Sequence, residues 1–295
     1  MLLFDLAALT AALCVAISNL ISPSAIRHFG PIVFNCWRLS AALGALAVLA
    51  TVRGSWTTFS FPDLVALVVS SLIGIVIGDS AVYAAMFRLG PRRTALLYAT
   101  NAPFATLFGF VVLGETLSVA KLSGIALVVV GVCIAIAYRD AASVGFWEEV
   151  HGRLSTGIVF GLLGGLGAAA AALIARPVMA GGVDPAAAAV VRSAAGLLGL
   201  GVLSRVPGFR GHNPASTRIV TIAALSGLLG MGAGMTLVLF ALSMRPTGIV
   251  TTLASTTPVL LLPLLWLVSG KRPAPQAWLG AVLAVTGVGV LSSSL

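Results

Sequence analysis

Long apolar runs, broken by short polar, proline-rich or glycine-rich clusters, extend along the whole chain. Their length matches what a bilayer-spanning helix requires, roughly 20 residues at about 1.5 Å each. Cutting at each interruption predicts ten segments: Leu3–Ile21, Ile32–Val52, Leu64–Phe87, Thr94–Leu113, Ala120–Tyr138, Ser155–Ala175, Ala186–Leu203, Ile219–Met244, Gly248–Val268 and Ala277–Leu295. The longest polar stretch, Arg139 to Arg153, carries Asp140, Glu148, Glu149 and His151. It divides the chain into a first five-helix repeat at 1–140, a linker loop at 141–154 and a second five-helix repeat at 155–295. Five crossings is an odd number, so the second half must enter the membrane upside down relative to the first. The predicted fold is all-α and integral to the membrane, with ten transmembrane helices forming two inverted five-helix repeats.

Composition excludes a soluble protein. Of 295 residues, 59% are hydrophobic and 8% charged, with a mean hydropathy of +1.10, whereas soluble proteins carry about 25% charged residues. The formal charge of +9 would suggest a nucleic-acid partner in a soluble domain, but here basic residues stand singly or in pairs between apolar runs. That pattern orients a membrane protein, so the partners expected are the lipid bilayer and a small-molecule solute, with no nucleic acid. Eleven Lys and Arg residues fall in odd-numbered loops and four in even-numbered ones, which places both termini outside the cytoplasm. Cys14, Cys36 and Cys133 are isolated within apolar runs and read as packing residues, without disulfide or metal spacing. No motif calls for a cofactor, and the N-terminus reads as the first span rather than a cleavable signal.

The two halves align at an offset of 154 to 156 residues. Pro31 and Arg38 fall on Pro185 and Arg192, Gly74 and Gly78 on Gly230 and Gly234, and Pro91 and Pro103 on Pro246 and Pro258. Gly114 falls on Gly270, Gly124 on Gly280 and Gly131 on Gly287. Such internal duplication is characteristic of alternating-access transporters.

Three ionisable residues lie inside the predicted spans: Arg38, Asp79 and Arg192. Each costs about 2.5–3.5 kcal/mol at the membrane centre, so each needs a partner or a purpose. Helix rise places Arg38 roughly 9 Å and Asp79 roughly 13 Å below the same side. Tyr83 lies one turn from Asp79, and the i, i+3 spacing of Tyr98 and Asn101 puts both on one helix face. A polar cluster of these five residues is expected to face the bundle interior. In one reading Arg38 holds an anionic group, or Asp79 an amine or a coupling proton. In the other, Arg38 and Asp79 neutralise each other and pin two helices together. Arg192 either joins the site or snorkels to the surface. Gly or Met stands where an acid equivalent to Asp79 would be, so the chemistry is asymmetric.

Thr256 and Thr257 either offer hydroxyls to the cavity or bond back to their own helix. Pro103 and Pro258, inside the fourth and ninth helices, are expected to bend them, either for gating or as fixed kinks. The seven-residue pairs Gly124 with Gly131 and Gly280 with Gly287 predict close helix packing away from the site. The run GLLGGLG at 161–167 lies within an apolar segment with no strand before it, so a phosphate loop is excluded.

The stretch IGDSAVYAAMFRLGPRRTALLYATNAPFATLFGFVVLGETLS, Ile77 to Ser118, resembles the third and fourth helices of EamA-type proteins in the drug/metabolite transporter superfamily. The resemblance extends over the whole chain through the ten segments, the two halves and the arginine in helices two and seven. It implies a secondary transporter or exporter of small metabolites, such as amino acids or their relatives, in a bacterial-type inner or plasma membrane. The paired glycine spacing is also similar to the packing helix of small multidrug-resistance proteins. Gly270 and Lys271 stand where the family often shows GE, which assigns Glu115 to a helix end rather than to paired chemistry. The resemblance further implies cytoplasmic termini, against the charge count, and leaves both monomer and homodimer open.

Transport without ATP is the leading function, since no nucleotide-binding motif is present. A membrane-embedded enzyme acting on lipid-linked substrates is the alternative. It fits poorly, because His28, His151 and His212 lie at loops and no carboxylate pair or Ser/His arrangement falls within the spans. A non-transporting membrane partner is a third reading.

Overall fold

Two glycine–proline corners set the course of the first half. Gly30, at φ 80°, is followed by Pro31 at the start of a helix, and Gly90, at φ 79°, is followed by Pro91 in the same way. Glycine takes the left-handed turn without a Cβ clash, and proline opens the next helix where its missing N–H costs nothing. In the computed structural model, which describes residues 2–113, 118–137, 152–207, 213–244, 250, 253–254, 256–270 and 272–293, these corners join α1 (Leu2–Phe29) to α2 (Pro31–Arg53) and α3 (Phe61–Leu89) to α4. Helix α4 has two pieces, Pro91–Tyr98 and Asn101–Leu113, and α5 is Val119–Ala137. The second half contains α6 (Leu154–Ala180), α7 (Pro185–Leu203), α8 (Thr217–Gly227, continuing through Leu228–Met235 and Thr236–Met244), α9 (Thr257–Ser269) and α10 (Pro275–Ser293). No strand occurs among the described residues.

Seven of these helices are long and apolar enough to cross a bilayer, and Val119–Ile134, Thr257–Ser269 and Pro275–Val290 are shorter apolar helices. Val52, Phe61, Val111, Leu198 and Leu267 point outward and are exposed. An apolar exterior suits a lipid solvent. The interior is rich in alanine, including fully buried Ala8, Ala11, Ala42 and Ala187, so neighbouring backbones come close without large side chains between them.

Polar caps set two helix starts. Ser60 accepts from the Asp63 N–H while Asp63 accepts from the Ser60 N–H, a reciprocal cap for α3. Asp184 accepts from the N–H groups of Ala186 and Ala187 at 2.9 and 3.0 Å, ahead of Pro185, and so starts α7.

Several boundaries differ from the hydropathy reading. Helix α1 continues to Phe29, past Asn19, Ser22 and Ser24, because the Ser22 hydroxyl donates to the Ser18 carbonyl at 2.5 Å and is thereby satisfied inside the helix. Pro23 lies inside α1 and Pro177 inside α6, a further pair at the repeat offset. The linker expectation at 141–154 falls outside the described residues except for 152–154, as do Gly114, Glu115, Pro246 and Lys271.

The third helix of each half lies across the first two helices of the other. The Ser70 hydroxyl of α3 donates to the Ala171 carbonyl of α6 at 2.8 Å, and Ser71 donates to the Arg192 carbonyl of α7 at 2.5 Å. On the opposite side Ser226 of α8, equivalent to Ser70, bonds the hydroxyls of Ser18 and Ser22 in α1. Gly227, equivalent to Ser71, abuts the Arg38 carbonyl of α2 so closely that a Cβ there would overlap it. The GLLGGLG run lies on α6 and serves this packing. A Cβ on Gly167 would come within 2.9 Å of the Gly78 Cα, and one on Gly161 within 2.6 Å of Leu97.

Helices α5 and α10 pack on each other by the same device. A Cβ on Gly131 would lie 2.6 Å from the Gly280 carbonyl oxygen, and one on Gly287 would lie 2.7 Å from the Gly124 carbonyl oxygen. These four glycines form a two-way contact between the final helices of the halves.

Candidate functional site

The middle of α3 and the middle of α8 each widen into a π-helical stretch, Leu72–Asp79 and Leu228–Met235, at an offset of 156 residues. A π turn shifts the helical register by one residue and often marks a functional site. Each stretch contains two glycines of the internal repeat, Gly74 with Gly78 and Gly230 with Gly234. Between them lies a cavity of about 350 Å³, lined from both halves. That size falls within the range of about 300–1,000 Å³ typical of small-molecule sites.

Arg38 from α2 enters the cavity wall and is held on three sides. Its Nη1 donates to Asp79 Oδ2 and to Asn35 Oδ1, both at 3.2 Å. Its guanidinium carbon lies 5.2 Å from the centre of the Tyr83 ring, a cation–π contact. The Tyr83 ring is fixed in turn by an edge-on contact with Phe34 at 4.9 Å. Side-chain exposures of 7% for Arg38 and 23% for Asp79 show that the arginine is sealed while the carboxylate still reaches the cavity. Glycine makes this possible, since a Cβ on Gly230 would stand 2.9 Å from Arg38 Nη2.

Arg192 of α7 takes the equivalent place in the other half. It lies beside Gly74, where a Cβ would come 3.3 Å from its Nη2. Among the described residues its side chain has no hydrogen bond or ion pair, and its Nε is buried without a partner. The position equivalent to Asp79 is Met235, at the end of the second π-helical stretch. The two arginines therefore occupy matching positions, and among the described residues only Arg38 has an ion-pair partner.

Tyr98 and Asn101 both line the cavity, although α4 breaks at Ala99 and Thr100 between them. The expected single helical face is replaced by a helix end and a new helix start, where the Thr100 hydroxyl donates to the Leu97 carbonyl at 2.6 Å. The prolines are placed differently from the expectation of mid-helix kinks. Pro103 stands in the first turn of Asn101–Leu113, and Pro258 is the second residue of α9. In a first turn the missing N–H removes no intrahelical bond, so the chain breaks before the proline rather than bending at it. Pro258 lines the cavity and Pro103 does not.

Thr256 also lies off the cavity wall, its hydroxyl donating to the Leu253 carbonyl at 2.7 Å. Thr257 reaches the wall while bonding the Ala254 carbonyl at 2.8 Å. Gly124, Gly131, Gly280 and Gly287 are absent from the lining.

Sequence reasoning missed Asn35, which stands three residues before Arg38 on the same helix face and was detectable from that spacing. It also missed Asn19 and Met235 in the lining. Among the described residues, no cluster of three or more His, Cys, Asp or Glu residues forms a metal site.

Similarity to known proteins covers the same two halves. The profile of the EamA-like transporter family matches twice, over residues 2–137 and 155–293. A crystal structure matches 97% of this chain and 95% of its own at a TM-score of 0.71, with 16% sequence identity, which establishes a shared fold. No curated protein matches in sequence at a significant level. With two family matches that together span nearly the whole chain and an all-helical fold built from two interlocked halves, the chain belongs to the EamA-like transporter family.

Proposed function

We propose that the protein is a secondary-active transporter that moves small metabolites across a bacterial-type inner or plasma membrane by alternating access, in the export direction. The observation that carries this reading is the cavity lined by both halves, with charged residues from each, polar side chains such as Asn19, Tyr98 and Asn101, and a largely apolar remainder. All ten helices cross the bilayer in this reading, as two inverted repeats. The reciprocal placement of α3 on α6 and α7, and of α8 on α1 and α2, supports such a relationship. Rocking of one helix group against the other exposes the cavity to each side in turn, while α5 and α10, outside the lining, act as scaffold. Asp79 is the only acid among the described lining residues and is where a coupling proton would act.

The test is counterflow of labelled metabolites in liposomes containing the purified protein. Solute-specific exchange that saturates, and that falls in an Arg38→Ala variant retaining its fold, is the expected result. Absence of exchange for every solute in a broad panel of acids, amines and zwitterions would overturn the transport reading.

A further inference from the structure

The two halves treat their arginines differently, and the difference specifies a ligand. Arg38 is charge-neutralised within its own repeat by Asp79, at the last position of the first π-helical stretch. Arg192 occupies the matching place in the second repeat, but the corresponding last position is Met235. Both Arg192 and Met235 line the cavity. Among the described lining residues the only acid is Asp79, while the bases are Arg38, Arg176 and Arg192, with Arg176 exposed. One carboxylate against three arginines leaves the described lining with excess positive charge, and Arg192 has no ion-pair partner among the described residues. A half-buried guanidinium without an ion-pair partner is costly unless an anion meets it.

The geometry points to Arg192 as the binding group for a small organic monoanion, with the ligand's carboxylate supplying the charge that Met235 omits. This rests on the cavity being the solute site of the proposed transporter, and it narrows the solute class. The rest of the wall is largely alanine, valine, leucine and methionine, including Ala172, Met231, Met235, Val238 and Leu239, and suits an apolar body on that carboxylate. A zwitterion fits less well, because the one carboxylate among the described lining residues already serves Arg38 and leaves its ammonium only neutral acceptors such as Asn101 Oδ1. A free amine finds uncompensated positive charge instead.

The matched probes are radiolabelled phenylacetate, phenylalanine and phenethylamine, which share a ring and differ in charge. Equilibrium binding to the full-length protein in nanodiscs should rank phenylacetate first. Loss of one charge-assisted contact corresponds to about tenfold or more in affinity. Arg192→Gln should therefore weaken phenylacetate by at least that factor, and Arg192→Lys should recover part of it. Met235→Asp should have the same effect as Arg192→Gln by installing the missing counter-ion, and it decides the matter independently if Arg192→Gln does not fold. Excess chloride that displaces phenylacetate completely at equal ionic concentration would assign the site to inorganic anions and overturn the proposal. Unchanged phenylacetate affinity in both variants, tighter binding of phenylalanine or phenethylamine, or no phenylacetate binding would overturn it as well.

Parallel liposome flux separates this inference from the transport reading. Flux of the amine or the zwitterion without the acid sinks the anion assignment and leaves transport standing. Arg192-dependent phenylacetate binding with no flux of any solute supports the anion site and removes transport.

Discussion

Arg38 Nη1 donates to Asp79 Oδ2 at 3.2 Å, and this contact ties the middle of α2 to the last residue of the π-helical stretch in α3. It is an ion pair with one sealed partner, so its members are unequal. Removing Asp79 strands a buried guanidinium, and breaking such a pair costs about 3 kcal/mol or more, whereas replacing both partners with apolar groups of similar volume is often close to neutral. Asp79→Leu alone should lower the thermal unfolding midpoint sharply, and Arg38→Met with Asp79→Leu should recover most of that loss. Thermal unfolding in detergent checks this. A double variant no more stable than Asp79→Leu would contradict the pair's role as a helix tie.

The same carboxylate is the proposed site of proton coupling. Asp79→Asn keeps the shape and removes the titrating group. Uphill transport driven by an imposed pH gradient should be lost while exchange of solute for solute persists. Measuring both modes in the same liposomes provides the check. Gradient-driven accumulation with an unchanged pH response in Asp79→Asn would place coupling elsewhere.

The α5–α10 contact depends on the absence of side chains. A Cβ at Gly131 would lie 2.6 Å from a backbone carbonyl and 2.7 Å from the backbone nitrogen of Ala284, neither of which can swing aside. Gly131→Leu should therefore destabilise by at least about 1–3 kcal/mol, the usual cost of overpacking. Gly44, inside α2 with nothing within 4 Å of the place a Cβ would take, is the control. Gly44→Ala should be neutral or stabilising by up to about 1 kcal/mol, because alanine is the better helix former. Equal unfolding midpoints for the two variants would refute the packing argument.

Gly227 tests the interlock of the halves. A Cβ there would overlap the Arg38 carbonyl, whereas its counterpart Ser71 has room to donate to the Arg192 carbonyl at 2.5 Å. Gly227→Ser should severely reduce folded yield. Ser71→Gly should cost only about 1–2 kcal/mol, from one hydrogen bond and one helical glycine. Yield and midpoint by size-exclusion and thermal unfolding decide between this asymmetry and equal effects.

Helix α7 carries Arg192 and is started by Asp184, which accepts from two backbone N–H groups. Asp184→Ala should cost about 1 kcal/mol, and Asp184→Ser should retain most of the cap. The unfolding midpoints of the two variants give the comparison, and indistinguishable values would remove the cap from the account of α7.

The amino-acid pattern by itself determined the solvent and the architecture of this protein. Apolar runs of bilayer length, so few charges, and landmarks such as Arg38 with Arg192 recurring at one offset are properties of the linear chain, because lipid acts on every segment alike. The expected meeting of Arg38 with Asp79 was also legible, since helix rise alone puts them at similar depth. What the chain order did not contain was the register of helices against one another. The π-helical stretches arise where α3 and α8 cross the opposite half, so no local signal announces them. Thr256 and Thr257 are adjacent in sequence, yet only Thr257 lines the cavity, because one helical step is a rotation of about 100°. The missing acid in the second half was legible as well, since Gly or Met stands at the counterpart of Asp79. The tertiary structure decided that Asp79, at the end of its π-helical stretch, reaches Arg38 at 3.2 Å, and that Arg192 has no ion-pair partner among the described residues. Charge compensation acts through distance in space, and sequence separation does not encode it.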